Sequence, residues 1–340
     1  MRLCLFLSVL VFVSSGACYK NNSGENNLSD TVVFAKGADV SWLTEMEASG
    51  IHFYNNSGEQ QDCMQLLKDK GMNTIRLRVW VNPTAGWCNK QDVINKAVRA
   101  KNLGMQVMID FHYSDWWADP GNQNKPTRWL GITFSALKDS LYAHTYDVLM
   151  ALKSNGVKPH WVQVGNETND GMLWEDGRAS ANMANFAQLI NKGYQAVKAV
   201  DTSIKVIVHL SNGFDNHLYR WLFDGLKHNG ASWDIIGMSL YPSVSSWQTT
   251  NDQCFANISD MIVRYNKPVM ICEVGMPANY PTVCKAFLTD LIQRARGINN
   301  KMCQGVLYWE PQCYNNWQGY GLGAFDASGK PTLALDAFTL

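Results

Sequence analysis

SALKDSLYAHTYDVLMAL over residues 135–152, then WVQVGNE over Trp161–Glu167, then NMANFAQLINKGYQAVKAV over residues 182–200, decides the fold. The first and third segments are long and amphipathic, with apolar residues at helical spacing. Between them a short apolar run, Trp161–Gly165, reads as a buried strand. The same unit recurs outward in both directions. Strands are expected at Ala35–Val40, Thr74–Val79, Gln106–Phe111, Lys205–His209, Ile235–Ser239, Val269–Glu273 and Gly305–Trp309. Further helices are expected at Asp92–Leu103, Leu218–Leu226, Phe255–Tyr265 and Val283–Arg296. Alternating strands and helices imply a parallel sheet built from βαβ units. About eight units in roughly 300 residues fit a single-domain α/β chain, a (β/α)8 TIM barrel. An open doubly wound sheet would want a glycine-rich phosphate loop after its first strand. Gly37-Ala38-Asp39 does not supply one.

Composition narrows the function. The chain has 340 residues, 46% of them apolar and only 17% charged, with 29 basic and 29 acidic side chains. A balanced charge argues against nucleic acid as a partner, because phosphate binding needs a basic excess. Trp occurs 13 times, as often as Phe or Tyr. Flat aromatic rings fill cores and also serve as platforms for ligands.

The N-terminus reads as an address. Arg2 precedes an apolar run from Leu3 to Val13, too short for the ~20 residues that span a bilayer. Small residues lead to Ala17 and Cys18, so residues 1–17 are expected to be a lipoprotein-type signal peptide with Cys18 as the lipid-attachment residue. Ordinary cleavage after Ala17 is the alternative. Residues 18–33 are Asn/Ser/Gly-rich, as in a flexible tether, which leaves 34–340 for the barrel. The protein is therefore expected to be exported and held at a bacterial outer membrane or cell surface by a lipid anchor. Without the anchor it would be periplasmic or secreted. Setting aside Cys4 and Cys18 leaves seven cysteines, an odd number, so at least one thiol is expected to be free. Cys272, inside an apolar run, is expected to be buried and inert.

In a barrel, chemistry gathers where strands end. Glu167 and Glu273 each close an apolar run, on strands four and seven. A buried carboxylate is costly unless paired or hydrogen-bonded, and strands four and seven face each other across the barrel mouth. Paired carboxylates are the chemistry of glycoside hydrolysis. Arg76 and Arg78, two residues apart on strand two, share one face.

On these residues the chain resembles the endo-β-1,4-galactanases, glycoside hydrolase family 53. The matching segments are Gly37–Ser41, Arg76–Pro83, His112–Asp115 with Trp117–Pro120, Gln163–Glu167 and Leu307–Pro311. The resemblance implies a retaining, endo-acting enzyme cutting β-1,4-galactan, the galactan of plant pectin, as a monomer and without a required cofactor. It implies Glu167 as acid/base and Glu273 as nucleophile. Asp39, Arg76, His112, Asp115, Trp117, Asn166, Tyr241 and Trp309 are then the expected substrate-binding residues. Among them Arg76 would keep Glu273 charged, Tyr241 would donate to it, Asn166 would bind the sugar 2-hydroxyl and Trp309 would floor the ring. Trp87, Trp116 and Trp129 are candidates for sugar stacking or for loop packing. No catalytic metal is expected, since His112 and Asp115 lack a metal-binding motif. A structural calcium near Asp326 has no ligand-dense run to support it. Two other readings stand beside this one: a related mannanase or cellulase, and a glycan-binding lipoprotein that does not cut.

Overall fold

The computed structural model describes Met1 and residues 33–340. The expected signal peptide beyond Met1, the expected lipid-attachment residue Cys18 and the expected tether up to residue 32 lie outside the described residues. Residues 33–340 form one compact unit.

Eight parallel strands close into a barrel: β1 (Ala35–Asp39), β2 (Thr74–Val79), β3 (Gln106–Phe111), β4 (Trp161–Val164), β5 (Lys205–Leu210), β6 (Ile235–Leu240), β7 (Val269–Val274) and β8 (Cys303–Trp309). Each pairs only with its neighbours in sequence, and β8 closes on β1 with Asp39 opposite Trp309. The helices between them are α1 (Leu43–Ala48), α2 (Cys63–Asp69), α3 (Lys90–Asn102), α4 (Phe134–Ser154), α5 (Ala179–Val200), α6 (Asn216–His228), α7 (Trp247–Tyr265) and α8 (Pro281–Gly297). The eight expected strands and six expected helices are all present.

The helices start earlier than their apolar patterns, and polar side chains cap α3 and α6. Asn89 Oδ1 accepts from Asp92 N at the start of α3, and Asp215 Oδ1 accepts from Leu218 N at the start of α6. Pro281 opens α8, where its missing N–H costs nothing. The first two turns of α7 are mostly polar, which hid them from a hydrophobic reading. Helices α1 and α2 were not expected at all. At six and seven residues they are too short for periodicity to register.

The strands bury both faces, against the helices outside and against one another inside. The barrel interior is not wholly apolar. Asp39, Arg76, Arg78, Asp110, Gln163 and His209 are all buried near its upper end. Two devices open this end into a site. Gly165 (φ 88°) and Glu167 (φ 43°) turn the chain sharply off β4, and the left-handed backbone at a Glu is an uncommon conformation that surrounding structure must hold. The pairing of β6 with β7 shifts register at Met238/Ser239, which sets Ser239 opposite Glu273. Such irregularities re-aim side chains near active sites.

Candidate active site

The strand ends surround an open cavity of about 530 Å³, lined among others by Trp80, His112, Trp117, Asn166, Glu167, Tyr241, Glu273 and Trp309. Besides the two glutamates, five of the expected site residues reach it directly: His112, Trp117, Asn166, Tyr241 and Trp309.

Arg76 organises the layer beneath. Its guanidinium donates from Nε to Gln163 Oε1 (2.6 Å), from Nη1 to Asp39 Oδ2 (2.7 Å), and from Nη2 to Asp110 Oδ2 (2.9 Å) and Asn166 Oδ1 (3.0 Å). The same Nη2 lies 2.8 Å from Glu273 Oε1. Asp39 and Arg76 are fully buried. Neither lines the cavity, so both were misplaced as direct sugar contacts. Asp39 is consumed by Arg76 and by Ser41, whose hydroxyl donates to its Oδ1 at 2.5 Å. Arg76 serves Glu273 from behind, as the sequence reading proposed for it. Asp115 does not line the cavity either. Its carboxylate accepts from Asn82 N and Thr127 N, both at 2.9 Å, and so pins two loops together.

The two glutamates differ in their partners. Tyr241 donates its hydroxyl to Glu273 Oε2 at 3.0 Å. Glu273 thus has one donor on each oxygen, one of them a cation. Glu167 has no cation in hydrogen-bonding contact. Burial pushes both carboxyls above the ordinary range. For Glu273, Arg76 opposes that effect, while the charges of Glu167, Asp110 and Asp39 add to it. For Glu167, the Ser239 hydroxyl and Arg76 pull down, whereas Asp119 and Asp110 push up. One guanidinium faces Asp39, Asp110 and Glu273 with Glu167 close by, so a charge on either glutamate opposes a charge on the other. The contacts favour the ionised form more at Glu273, which has a cation on one oxygen and a hydroxyl donor on the other, than at Glu167.

A chain of hydrogen bonds runs behind Glu167. An arginine can only donate, so Gln163 Oε1 must accept, and Gln163 Nε2 then donates to Asp110 Oδ1 at 3.1 Å and lies 2.9 Å from His209 Nδ1. That Nδ1 also lies 3.0 Å from Asn166 Oδ1, and His209 Nε2 hydrogen-bonds Ser239 Oγ at 2.8 Å. Burial, with Arg76 nearby, holds His209 neutral, well below its usual pKa. The Ser239 hydroxyl also hydrogen-bonds Glu167 and favours its ionised form. Gln163, His209 and Ser239 were not among the expected site residues. Their signal was polar residues inside apolar strands.

Indole rings form one wall of the cavity. Trp42, Trp80, Trp117 and Trp309 meet edge to face or tilted, with centroids 5.3–5.8 Å apart. Trp116 is 60% exposed and stacks on Trp80 at 5.0 Å. Trp87 and Trp116 line the cavity, as stacking candidates should. Trp129 does not. It is buried against Tyr113 and His144, which makes it loop packing. Asp326 accepts from Ser328 N, Ser328 Oγ and Lys330 N, a turn that occupies Oδ1. Among the described residues no group of three or more His, Cys, Asp and Glu is placed to hold a metal ion.

Residues 35–338 match the model of glycosyl hydrolase family 53. The chain belongs to that family. Family relatives cover nearly all of it. An arabinogalactan endo-beta-1,4-galactanase of Cellvibrio japonicus is 34% identical over 352 aligned positions, covering 92% of this chain and 91% of the relative. One from Thermothelomyces thermophilus is 33% identical, covering 83% and 90%. A fungal beta-1,4-galactanase structure superposes with a TM-score of 0.84 at 30% identity, covering 90% of this chain and 99% of its own. The chain is thus a glycoside hydrolase, and its carboxylate pair sits in the cavity at the strand ends.

Proposed function

We propose that this chain is an endo-acting, retaining β-1,4-galactanase, with Glu273 as nucleophile and Glu167 as acid/base. The observation that carries the reading is the asymmetry of the pair. Glu273 is held by Arg76 and Tyr241, one donor to each oxygen, and Glu167, at the same cavity, has no such cation on its carboxylate among the described residues. A double displacement needs both states at once. Glu273 attacks the anomeric carbon, the C–O bond to the leaving sugar breaks, and Glu167 passes its proton to the departing oxygen. Glu167, now ionised, takes a proton from water as that water attacks the glycosyl-enzyme, and Glu273 leaves as carboxylate. Trp309 and Trp117 present apolar ring surface to the sugars, and Asn166, fixed by Arg76 and by Ala118 O (2.8 Å), offers the remaining polar contact. The open cavity suits internal cutting of a polymer.

The test is reducing-end release from linear β-1,4-galactan, with mannan and cellulose alongside and Glu273→Ala as control. Short galacto-oligosaccharides from the wild type alone, β-anomeric when first formed by proton NMR, are expected. Cutting of another glycan only would move the specificity. Retention on a galactan column without cutting would make the chain a binding protein. The N-terminal sequence further supports export and lipid attachment at Cys18. On that reading Cys18→Ala releases the enzyme from the membrane fraction, and unchanged membrane retention argues against it.

A further inference from the structure

Arg78 plays no part in holding either glutamate. It is 1% exposed, and it donates from Nη1 to Glu310 Oε1 at 2.6 Å. Its Nε and Nη2 have no hydrogen-bond partner. What they face instead is aromatic. The guanidinium carbon lies 4.1 Å from the ring centroid of Trp117, 5.0 Å from that of Trp42 and 5.1 Å from that of Trp80. Glu310 is fully buried and ties the other side. It accepts from Trp42 N at 3.1 Å and from Gln312 Nε2 at 2.5 Å.

Burying a guanidinium with unpaired N–H groups is unfavourable, and an apolar side chain of similar size generally packs as well or better. The charge is therefore not there for packing. A desolvated cation attracts the electron-rich faces of indoles and fixes which way they turn. All three of these indoles line the cleft that holds Glu167 and Glu273.

We propose that Arg78, clamped by Glu310, is a positioning residue that sets the three tryptophans of the cleft wall into the orientation that receives the sugar chain. Arg78 acts on substrate binding through the rings and not on the reacting atoms. Arg76 and Arg78 thereby divide the labour of one strand face: the first serves the carboxylates, the second the aromatic wall. The inference rests on the glycan-cleaving reading of the cleft.

The test compares Arg78→Met, Arg78→Lys and Glu310→Gln with wild type in the full-length protein. With far-UV circular dichroism unchanged, Arg78→Met is expected to raise KM for β-1,4-galactan about tenfold and leave kcat within about twofold. The near-UV signal of the coupled indoles is expected to weaken without any ligand present. Lys, a compact charge without a flat face to lay on a ring, is expected to recover only part of KM. An unchanged KM, or a fall in kcat alone, in a folded variant overturns the proposal. If Arg78→Met does not fold, the Lys and Gln variants carry the same criteria. A wild type inactive on galactan would sink the proposed function instead. In that case the near-UV signal still decides: an unaltered spectrum in the Arg78 variants refutes the hold on the rings.

Discussion

Glu167 and Glu273 share a cavity and an unusual titration, yet each carboxyl has a distinct set of neighbours, and their variants should fail differently. An aryl galactobioside whose phenol departs without protonation separates them. With it, Glu167→Ala is expected to keep formation of the glycosyl-enzyme and lose its hydrolysis, so that added azide restores turnover as a β-glycosyl azide. Glu273→Ala is expected to lose about 10⁴-fold or more on any substrate, in the range seen when a covalent nucleophile is removed. Rescue of Glu273→Ala to a β-product, or failure of azide with Glu167→Ala, would reverse the assignment. Both residues were legible in the sequence because a carboxylate closing an apolar run has no structural need to be there. Asp39 and Asp115 were legible as polar loop-end residues, but their roles were not. Whether such a residue meets the sugar or another side chain depends on partners 37 positions away for Asp39 and 33 for Asp115. Asp115→Ala is accordingly expected to cost about 1–2 kcal/mol of stability, because two backbone N–H groups lose their acceptor. It should leave kcat close to wild type in a denaturant titration run beside an assay. A large kcat loss with normal stability would restore it to the substrate.

Strands carry the site's second tier, and this is the scale at which the sequence was least readable. Alternation on β2 put Arg76 and Arg78 on one face, and both do point inward. Nothing in a single strand, however, says that Gln163 of β4 will turn its amide to an arginine of β2, or that His209 of β5 will then face Ser239 of β6. These links are set by barrel closure and by the register shift at Ser239. They have a measurable consequence. The Ser239 hydroxyl favours the ionised form of Glu167, and the acid must be protonated for the first step. Removing that donor raises the Glu167 pKa. The basic limb of the kcat/KM profile therefore moves to higher pH in Ser239→Ala, by about one unit for a hydrogen bond to a charged group. A limb that stays in place or moves down would break the chain from His209 to the acid.

At the scale of the whole molecule, the eight-fold alternation was the strongest signal in the chain, since it needs only local periodicity and repeats. The odd cysteine count was weaker: it required one free thiol, whereas all seven cysteines of the described residues are free and buried. Burial raises the thiols, Cys272 to about 12. Alkylation in native buffer should therefore miss all seven, full labelling should appear only in denaturant, and reductant should leave Tm unchanged. A Tm lowered by reductant would mean a disulfide. The larger cost in this fold lies in the polar upper layer of the barrel. Arg76 faces Asp39, Asp110 and Glu273 with Glu167 close by, so negative charge exceeds positive in a buried volume. The Glu167 and Glu273 carboxyls bind protons more tightly in the folded chain than in the unfolded one, where a glutamate titrates near 4.3. Between that value and the folded one the native state holds more protons, and stability falls as pH rises. Glu273→Gln removes one of the competing charges and leaves Arg76 paired with Asp39 and Asp110. The variant should thus match wild type near pH 4 and exceed it at pH 8, by on the order of a few kcal/mol, in urea titrations at the two pH values. Parallel stability curves would mean that the barrel does not bear the cost of its carboxylates, whereas diverging curves would make the loss of stability part of what the active site requires.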